Sequence, residues 1–165
     1  MKIIDNCIDI FRQNQLLDYL TSERCNWYYT PHVAYSKQKP TDRPAYYHEW
    51  VAHNMIRDPK HISYIYPFLD LTNKNRIIRA VSFLQLPRVD NTPNGKHIDL
   101  DGKNTICLYY VNDSDGGTVF YKGDKIVKKV EAKKGRCVIF NGDIYHSGVS
   151  PTNCKIVINM NLQDA

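Results

Sequence analysis

Thr105-Ile106-Cys107-Leu108-Tyr109-Tyr110-Val111-Asn112 is followed, across Asp113-Ser114-Asp115-Gly116-Gly117, by Thr118-Val119-Phe120-Tyr121. Both runs are rich in β-branched and aromatic residues, neither holds a helical period, and the segment between them has turn chemistry. The pair therefore reads as two strands joined by a turn. The same pattern repeats outward, with Ile77 to Leu86 before it and Lys125 to Val130, Arg136 to Phe140 and Lys155 to Leu162 after it. The separators, among them Thr92-Pro93-Asn94-Gly95, Lys122-Gly123-Asp124, Asn141-Gly142 and Ser150-Pro151-Thr152-Asn153, are all competent to reverse the chain. Short strands at this spacing predict a β-sandwich or barrel over about residues 76–162.

The front of the chain, about residues 1–75, has a different character. Lys2 to Ile4 reads as a short strand, and Asp9 is a good N-cap for a helix reaching Thr21-Ser22, with Ile10, Leu17 and Leu20 on one stripe. Trp27 to Trp50 holds seven of the nineteen Phe, Trp and Tyr residues together with Pro31, Pro40 and Pro44, and reads as irregular or short-stranded. Ile62, Ile65, Tyr66 and Leu69 follow helical spacing, but Pro67 requires a kink or a fresh helix start. With no repeat and no linker composition, the 165 residues are expected to form one domain, helices at the front packing on a β core.

Composition narrows the classes. An apolar fraction of 42% and a charged fraction of 24% are ordinary for a globular protein. No apolar run is long enough to cross a membrane, and Met1-Lys2-Ile3-Ile4-Asp5-Asn6 turns polar too soon for a secretory signal, so no membrane partner and a cytoplasmic location are expected. Cys7, Cys25, Cys107, Cys137 and Cys154 are odd in number and scattered without a Cys-x-x-Cys pair, which suits free thiols. The net charge of +5 resides in Lys122 to Arg136, where seven basic residues meet Asp124 and Glu131. A lysine-rich hairpin is more often a solvated sheet edge than a nucleic-acid surface, so a nucleic-acid partner is not expected.

Chemistry gathers at His97-Ile98-Asp99. In an extended segment, residues two apart project from one face, so one metal ion can touch both side chains. His146 would complete a two-histidine, one-carboxylate triad with open coordination positions, a pattern suited to non-haem Fe(II). A His-x-Asp pair also arises by chance, and a lone histidine is usually a surface or hydrogen-bonded residue. Nine residues beyond His146, Lys155, Val157 and Asn159 share one face of an alternating strand. If that face is internal, the ammonium needs an anionic partner, because a buried charge is costly alone.

These residues in this order resemble the Fe(II)- and 2-oxoglutarate-dependent oxygenases, and within them the prolyl 4-hydroxylase-like branch. The resemblance spans about Arg76 to Leu162: His97-Ile98-Asp99, the strand Ile106 to Asn112, Asp115-Gly116-Gly117-Thr118, Lys134 to Phe140, His146 and Lys155. It implies a double-stranded β-helix, the cupin-like jelly roll, in which His97, Asp99 and His146 bind Fe(II) and Lys155 pairs with the distal carboxylate of 2-oxoglutarate. Tyr110 and Thr118 are further cosubstrate contacts by the same resemblance, although a core aromatic and a strand-opening threonine explain them equally well. The implied cosubstrates are 2-oxoglutarate and dioxygen, with ascorbate as an accessory reductant, and no catalytic side chain is implied beyond the metal ligands. The implied reaction is hydroxylation of an aliphatic C–H bond, first of a prolyl residue in a protein or peptide. The alternatives are a free amino acid, nucleotide or sugar as substrate, or a non-catalytic binding module.

The family tyrosine about ten residues before the first histidine is missing, since that neighbourhood reads Gln85-Leu86-Pro87-Arg88; Gln85 and Arg88 are the candidate substitutes. Asp99 favours hydroxylation over halogenation, and Lys155 with Asn161 replaces the Arg-x5-Arg pair of nucleic-acid demethylases. Trp27, Tyr28, Tyr29, Tyr46, Tyr47 and Trp50 suit either a groove for a proline-bearing peptide or, preferably, core filling. His48 and His53 read as structural.

Overall fold

A computed structural model describes residues 1–33 and 43–164; Pro40 of the aromatic segment lies outside them. Strand β1 (Lys2–Ile4) leads into helix α1 (Ile10–Leu20). Asp9 caps α1, its carboxylate accepting from the Arg12 backbone N–H at 3.0 Å. The inward face of α1 begins a turn later than the apolar stripe suggested, because Ile10 is 64% exposed while Gln13, Leu16, Tyr19 and Leu20 are buried. Gln13 tolerates burial by donating to the Ile8 carbonyl at 2.9 Å. Strands β2 (Tyr28–Thr30), β3 (Ala45–Ala52) and β4 (Met55–Ile56) follow, so the described ends of the aromatic segment are stranded. Past a 3-10 turn at Ile62–Tyr64, Pro67 sits in the first turn of helix α2 (Pro67–Thr72), the fresh start that its missing N–H allows.

The rest is β: β5 (Arg76–Gln85), β6 (Thr105–Tyr110), β7 (Ser114–Lys122), β8 (Lys125–Ala132), β9 (Cys137–Asn141), β10 (His146–Gly148) and β11 (Lys155–Gln163). The segment Asp113 to Gly117, expected as a turn, is mostly the bulged start of β7, whose register with β8 shifts between Ser114 and Thr118. Thr118 therefore stands inside a strand instead of opening one. The major sheet runs β1-β9-β6-β11-β5-β3-β2 with β4 on β3, and a three-stranded sheet runs β10-β7-β8, all pairs antiparallel. Two facing antiparallel sheets with helices on the outer face make the jelly roll.

Alternation along β6 explains why the major sheet reads as continuously apolar. Cys107 and Tyr109 join Leu16, Leu20, Trp50 and Phe68 in the core beneath the helices, whereas Ile106, Leu108 and Tyr110 join Phe120, Val138 and Phe140 between the sheets. Trp50 is fully buried and satisfies its indole N–H on Ser82 Oγ at 2.8 Å. Trp27 also packs on the core, but Tyr28, Tyr29 and Tyr46 stay exposed, so core filling holds for the tryptophans and not for these tyrosines. The basic strip falls on β8, the outer strand of its sheet, with Lys125, Lys128 and Lys129 exposed. All five cysteines are free thiols. No helix among the described residues is long and apolar enough to cross a membrane.

Candidate active site

Strand β11 sends Ile156, Ile158, Met160 and Leu162 to the helical side. Lys155, Val157, Asn159 and Asn161 alternate with them and point between the sheets. Across the ladder, Lys155 faces Gln85, Val157 faces Phe83, Asn159 faces Val81 and Asn161 faces Arg79. This wall carries the polar side chains of the interior.

The two histidines meet by backbone pairing. His97 and His146 form an isolated antiparallel bridge in which each N–H donates to the other's carbonyl at 3.0 Å, and their rings stand 4.7 Å apart. His97 Nε2 is 3.6 Å from Asp99 Oδ1, His146 Nε2 is 3.7 Å from Asp99 Oδ2, and the candidate ligand atoms all lie within 4.8 Å of one another. Among the described residues no other trio of His, Cys, Asp or Glu converges in this way.

Outer contacts fix which nitrogen each ring offers. His97 Nδ1 lies 2.8 Å from the Gly95 carbonyl and His146 Nδ1 lies 3.0 Å from the Ile144 carbonyl. A carbonyl only accepts, so both Nδ1 atoms carry protons and the Nε2 atoms face Asp99. Burial holds the His146 pKa below its usual value, with the nearby Asp99 charge only partly opposing, which favours the neutral ring with a free Nε2 lone pair. Burial alone would raise the Asp99 carboxyl. The neighbouring His97, His146 and Arg79 side chains outweigh burial and hold the group well below the usual carboxylate range. Asn159 Nδ2 donates to Asp99 Oδ2 at 3.0 Å. A buried carboxylate facing a lone pair is repulsive unless a cation lies between them, so this donor set fits a divalent metal, and two nitrogens with one oxygen leave coordination positions open.

Beside the triad lies a cavity lined by Lys155, Gln85, Thr118, Gly148, Phe83 and Arg79, among others. Lys155 is 2% exposed, and its Nζ donates to the carbonyls of Val149 at 2.6 Å and Gly117 at 3.4 Å. No carboxylate comes within ion-pair distance of it among the described residues. Desolvation pushes its pKa down to about 7, with Asp115 opposing. A Cβ at Gly148 would stand 3.5 Å from Lys155 Nζ, 3.7 Å from Asn94 Nδ2 and 3.9 Å from Gln85 Nε2. Asn94 Nδ2 is buried without a hydrogen-bond partner, as is Gln85 Oε1. Donors thus crowd around the space a glycine leaves, a cradle of the right chemistry for a carboxylate.

Tyr110 and Thr118 enter as a pair, the tyrosine hydroxyl donating to Thr118 Oγ1 at 2.7 Å, and Thr118 is the one that lines the cavity. Of the two substitutes for the absent tyrosine, Gln85 faces Lys155 and lines the cavity. Arg88 lies 3.6 Å from Asp90 in a separate cleft with Arg43 and Pro151. His48 is remote from the triad, held by Asn26 O at 3.1 Å and Asp58 at 3.2 Å, and His53 occupies a turn with φ 51°. Asn94, Gly148, Asn159 and Arg79 carry no role in the sequence reading. Asn159 left a trace there as a face-mate of Lys155, and Asn94 as a turn residue.

No protein-family model matches the sequence, and no curated protein matches it significantly. Solved structures do match in shape. A 2OG-Fe(II) oxygenase family oxidoreductase from Burkholderia pseudomallei is 11% identical, with a TM-score of 0.71 over 96% of this chain and 83% of that one. A prolyl hydroxylase from Trichoplax adhaerens, bound to a hypoxia inducible factor oxygen degradation domain peptide, is 16% identical, with a TM-score of 0.69 over 99% and 83%. The epimerase SnoN in complex with Fe3+, alpha ketoglutarate and nogalamycin RO is 11% identical, with a TM-score of 0.66 over 99% and 78%. At these identities the likeness establishes the fold.

Proposed function

We propose that the chain is an Fe(II)- and 2-oxoglutarate-dependent oxygenase of the prolyl hydroxylase-like branch, forming one catalytic domain. In this reading His97, Asp99 and His146 hold the iron, and Lys155, with Thr118 and Tyr110 behind it, holds the distal carboxylate of 2-oxoglutarate. The observation that carries it is the convergence of two Nε2 atoms and a carboxylate within 4.8 Å, in the same cavity as a lysine buried without a carboxylate partner among the described residues. When bound, iron and 2-oxoglutarate supply the activation of dioxygen that oxidises a C–H bond, while the cosubstrate leaves as succinate and carbon dioxide.

The protein's share is placement. The carbonyls of Gly95 and Ile144 fix the ring orientations, Asn159 fixes Asp99, and the walls formed by Phe83, Leu108 and Val157 exclude water. Lys155 sets the orientation of the cosubstrate by a charge-assisted hydrogen bond. Hydroxylation of an aliphatic C–H bond is the reaction, with a prolyl residue of a peptide as the first substrate to test. The peptide-bound Trichoplax structure and the exposed Tyr28, Tyr29 and Tyr46 support that choice. Free amino acids, nucleotides and sugars come second. Ascorbate would serve as accessory reductant, and the free thiols suit a reducing compartment such as the cytoplasm.

Anaerobic titration with Fe(II) and then 2-oxoglutarate is the test. The weak visible charge-transfer band of the chelate should appear in the wild type and not in His146→Ala. A wild-type protein that binds Fe(II) but develops no band with 2-oxoglutarate would remove the cosubstrate, and one that binds no Fe(II) would remove the enzyme.

A further inference from the structure

On the inner face of β5, four residues stand in line: Arg79, Val81, Phe83 and Gln85, facing Asn161, Asn159, Val157 and Lys155. The line has a cation at each end. Six steps along the strand separate Gln85 from Arg79, roughly 20 Å. The candidate metal lies between them, because Asn159, which holds Asp99, is only two residues from Asn161, about 7 Å along the strand. The Lys155 end belongs to the cosubstrate in the reading above. That reading gives Arg79 no ligand.

Arg79 is half-buried and lines the cavity with Asp99 and His146. Among the described residues its guanidinium makes one long hydrogen bond, from Nη1 to Asn161 Oδ1 at 3.4 Å, and lies 6.0 Å from the centre of the Phe83 ring. No carboxylate pairs with it within ion-pair distance among the described residues. Its single anchor is well supported. Asn161 Nδ2 donates to Asn104 Oδ1 at 3.1 Å, and Asn104 Nδ2 donates to the carbonyls of Leu100 and Gly102 at 3.4 and 3.0 Å. This chain of amides ties Arg79 to the loop that carries His97 and Asp99. A planar fork of five donors, using one of them and fixed beside an open coordination site, is built to receive a carboxylate.

We propose that Arg79 binds a carboxylate of the primary substrate and so selects substrates bearing an acidic group close to the carbon that is oxidised. The inference deepens the oxygenase reading and rests on it. Two sources offer the same chemistry: the α-carboxylate of a free amino acid, or an acidic side chain next to the target residue in a peptide.

Matched pairs separate the sources and test the claim. The protein loaded with Mn(II) and 2-oxoglutarate is titrated with free L-amino acids against their C-amides, and with capped peptides Ac-Asp-Pro-NH2 and Ac-Glu-Pro-NH2 against their Asn and Gln counterparts. Binding is read from displacement of metal-bound water in the relaxation of solvent protons. In at least one series the acid should bind at least roughly tenfold tighter than its amide, the free acids identifying an amino acid and the peptides an acidic motif. Arg79→Gln should abolish the preference, Arg79→Lys should retain part of it, and both should bind 2-oxoglutarate like the wild type. Equal affinity within every pair, failure of every acid to bind, or a preference that survives Arg79→Gln would overturn the inference. Failure of the oxygenase reading itself is seen separately, as a wild type that takes up neither metal nor 2-oxoglutarate.

Discussion

Asn159 Nδ2 donates to Asp99 Oδ2 at 3.0 Å across sixty residues of sequence, and the same carboxylate oxygen faces His146 Nε2 at 3.7 Å. One amide thus holds the carboxylate in line with the rings. Removing such an outer partner typically costs about 10–100-fold in metal affinity. Asn159→Ala should therefore weaken Mn(II) binding by about that factor, measured by the loss of the free-ion EPR signal on titration, with the melting temperature little changed. An affinity equal to wild type would mean that Asp99 is positioned by something else.

Lys155 makes a prediction whose sign depends on pH. Burial lowers the ammonium to about 7, and a carboxylate against it restores the charged form, so cosubstrate binding takes up a proton above that pH. Affinity for 2-oxoglutarate should be flat below about 7 and fall about tenfold per unit above it, with calorimetry in two buffers counting the proton. Without cosubstrate the same displacement costs stability. An unfolded lysine keeps its proton to about 10.4, so the cost is fully present below about 7 and vanishes as the pH climbs to the ordinary lysine value. Lys155→Met should raise the melting temperature at neutral pH while weakening 2-oxoglutarate about 100-fold or more. A lower melting temperature with unaltered cosubstrate affinity would leave Lys155 a structural residue.

His97, Asp99, His146 and Lys155 were legible because each is a chemically distinctive side chain at a spacing that a strand of period two converts into a shared direction. Asn159 and Arg79 were not, for the complementary reason. Carboxamides and arginines are common everywhere, and what makes these two unusual is the β5–β11 register and the burial it imposes, which come from pairing across about eighty residues. Six of the seven strands of the second half were legible for the same reason as the triad, while β10, only three residues long, left no periodic run to read. The front was harder, since β3 owes its length to pairing with β5, and Ile10 stays exposed because α1 meets the core one turn later. Local sequence carries neither fact.

Gly148 tests whether the cradle around Lys155 is a binding space. A Cβ there would approach nothing closer than 3.5 Å, so Gly148→Ala fits the fold, but it occupies the point on which the Lys155, Asn94 and Gln85 donors converge. Affinity for 2-oxoglutarate should fall about tenfold in Gly148→Ala and further in Gly148→Val, while metal affinity holds. Equal losses of metal and cosubstrate would point to a distorted β10, because His146 lies only two residues away.

The far side of the major sheet separates fold from site. Tyr19 in α1 donates its hydroxyl to Asp58 Oδ2 at 2.5 Å and stacks on His61 with ring centres 4.1 Å apart, while His48 closes the group at 3.2 Å from the same oxygen. Burial raises the Asp58 carboxyl, but the Tyr19 hydroxyl and the two imidazoles outweigh it, so its pKa ends below the usual value. For a depressed carboxylate the stabilisation is present above the unfolded pKa of about 4 and is lost as the pH falls through the lower folded value. Asp58→Asn should accordingly melt several degrees lower than wild type at pH 7, a loss of about 1–3 kcal/mol, and the gap should narrow in acid as the wild type protonates. Tyr19→Phe should reproduce part of the loss at neutral pH. Both variants should keep wild-type affinity for Mn(II) and 2-oxoglutarate, because this cluster lies on the opposite face of the major sheet from the triad. A gap that stays constant into acid would assign the loss to packing around Asp58 instead of to its charge.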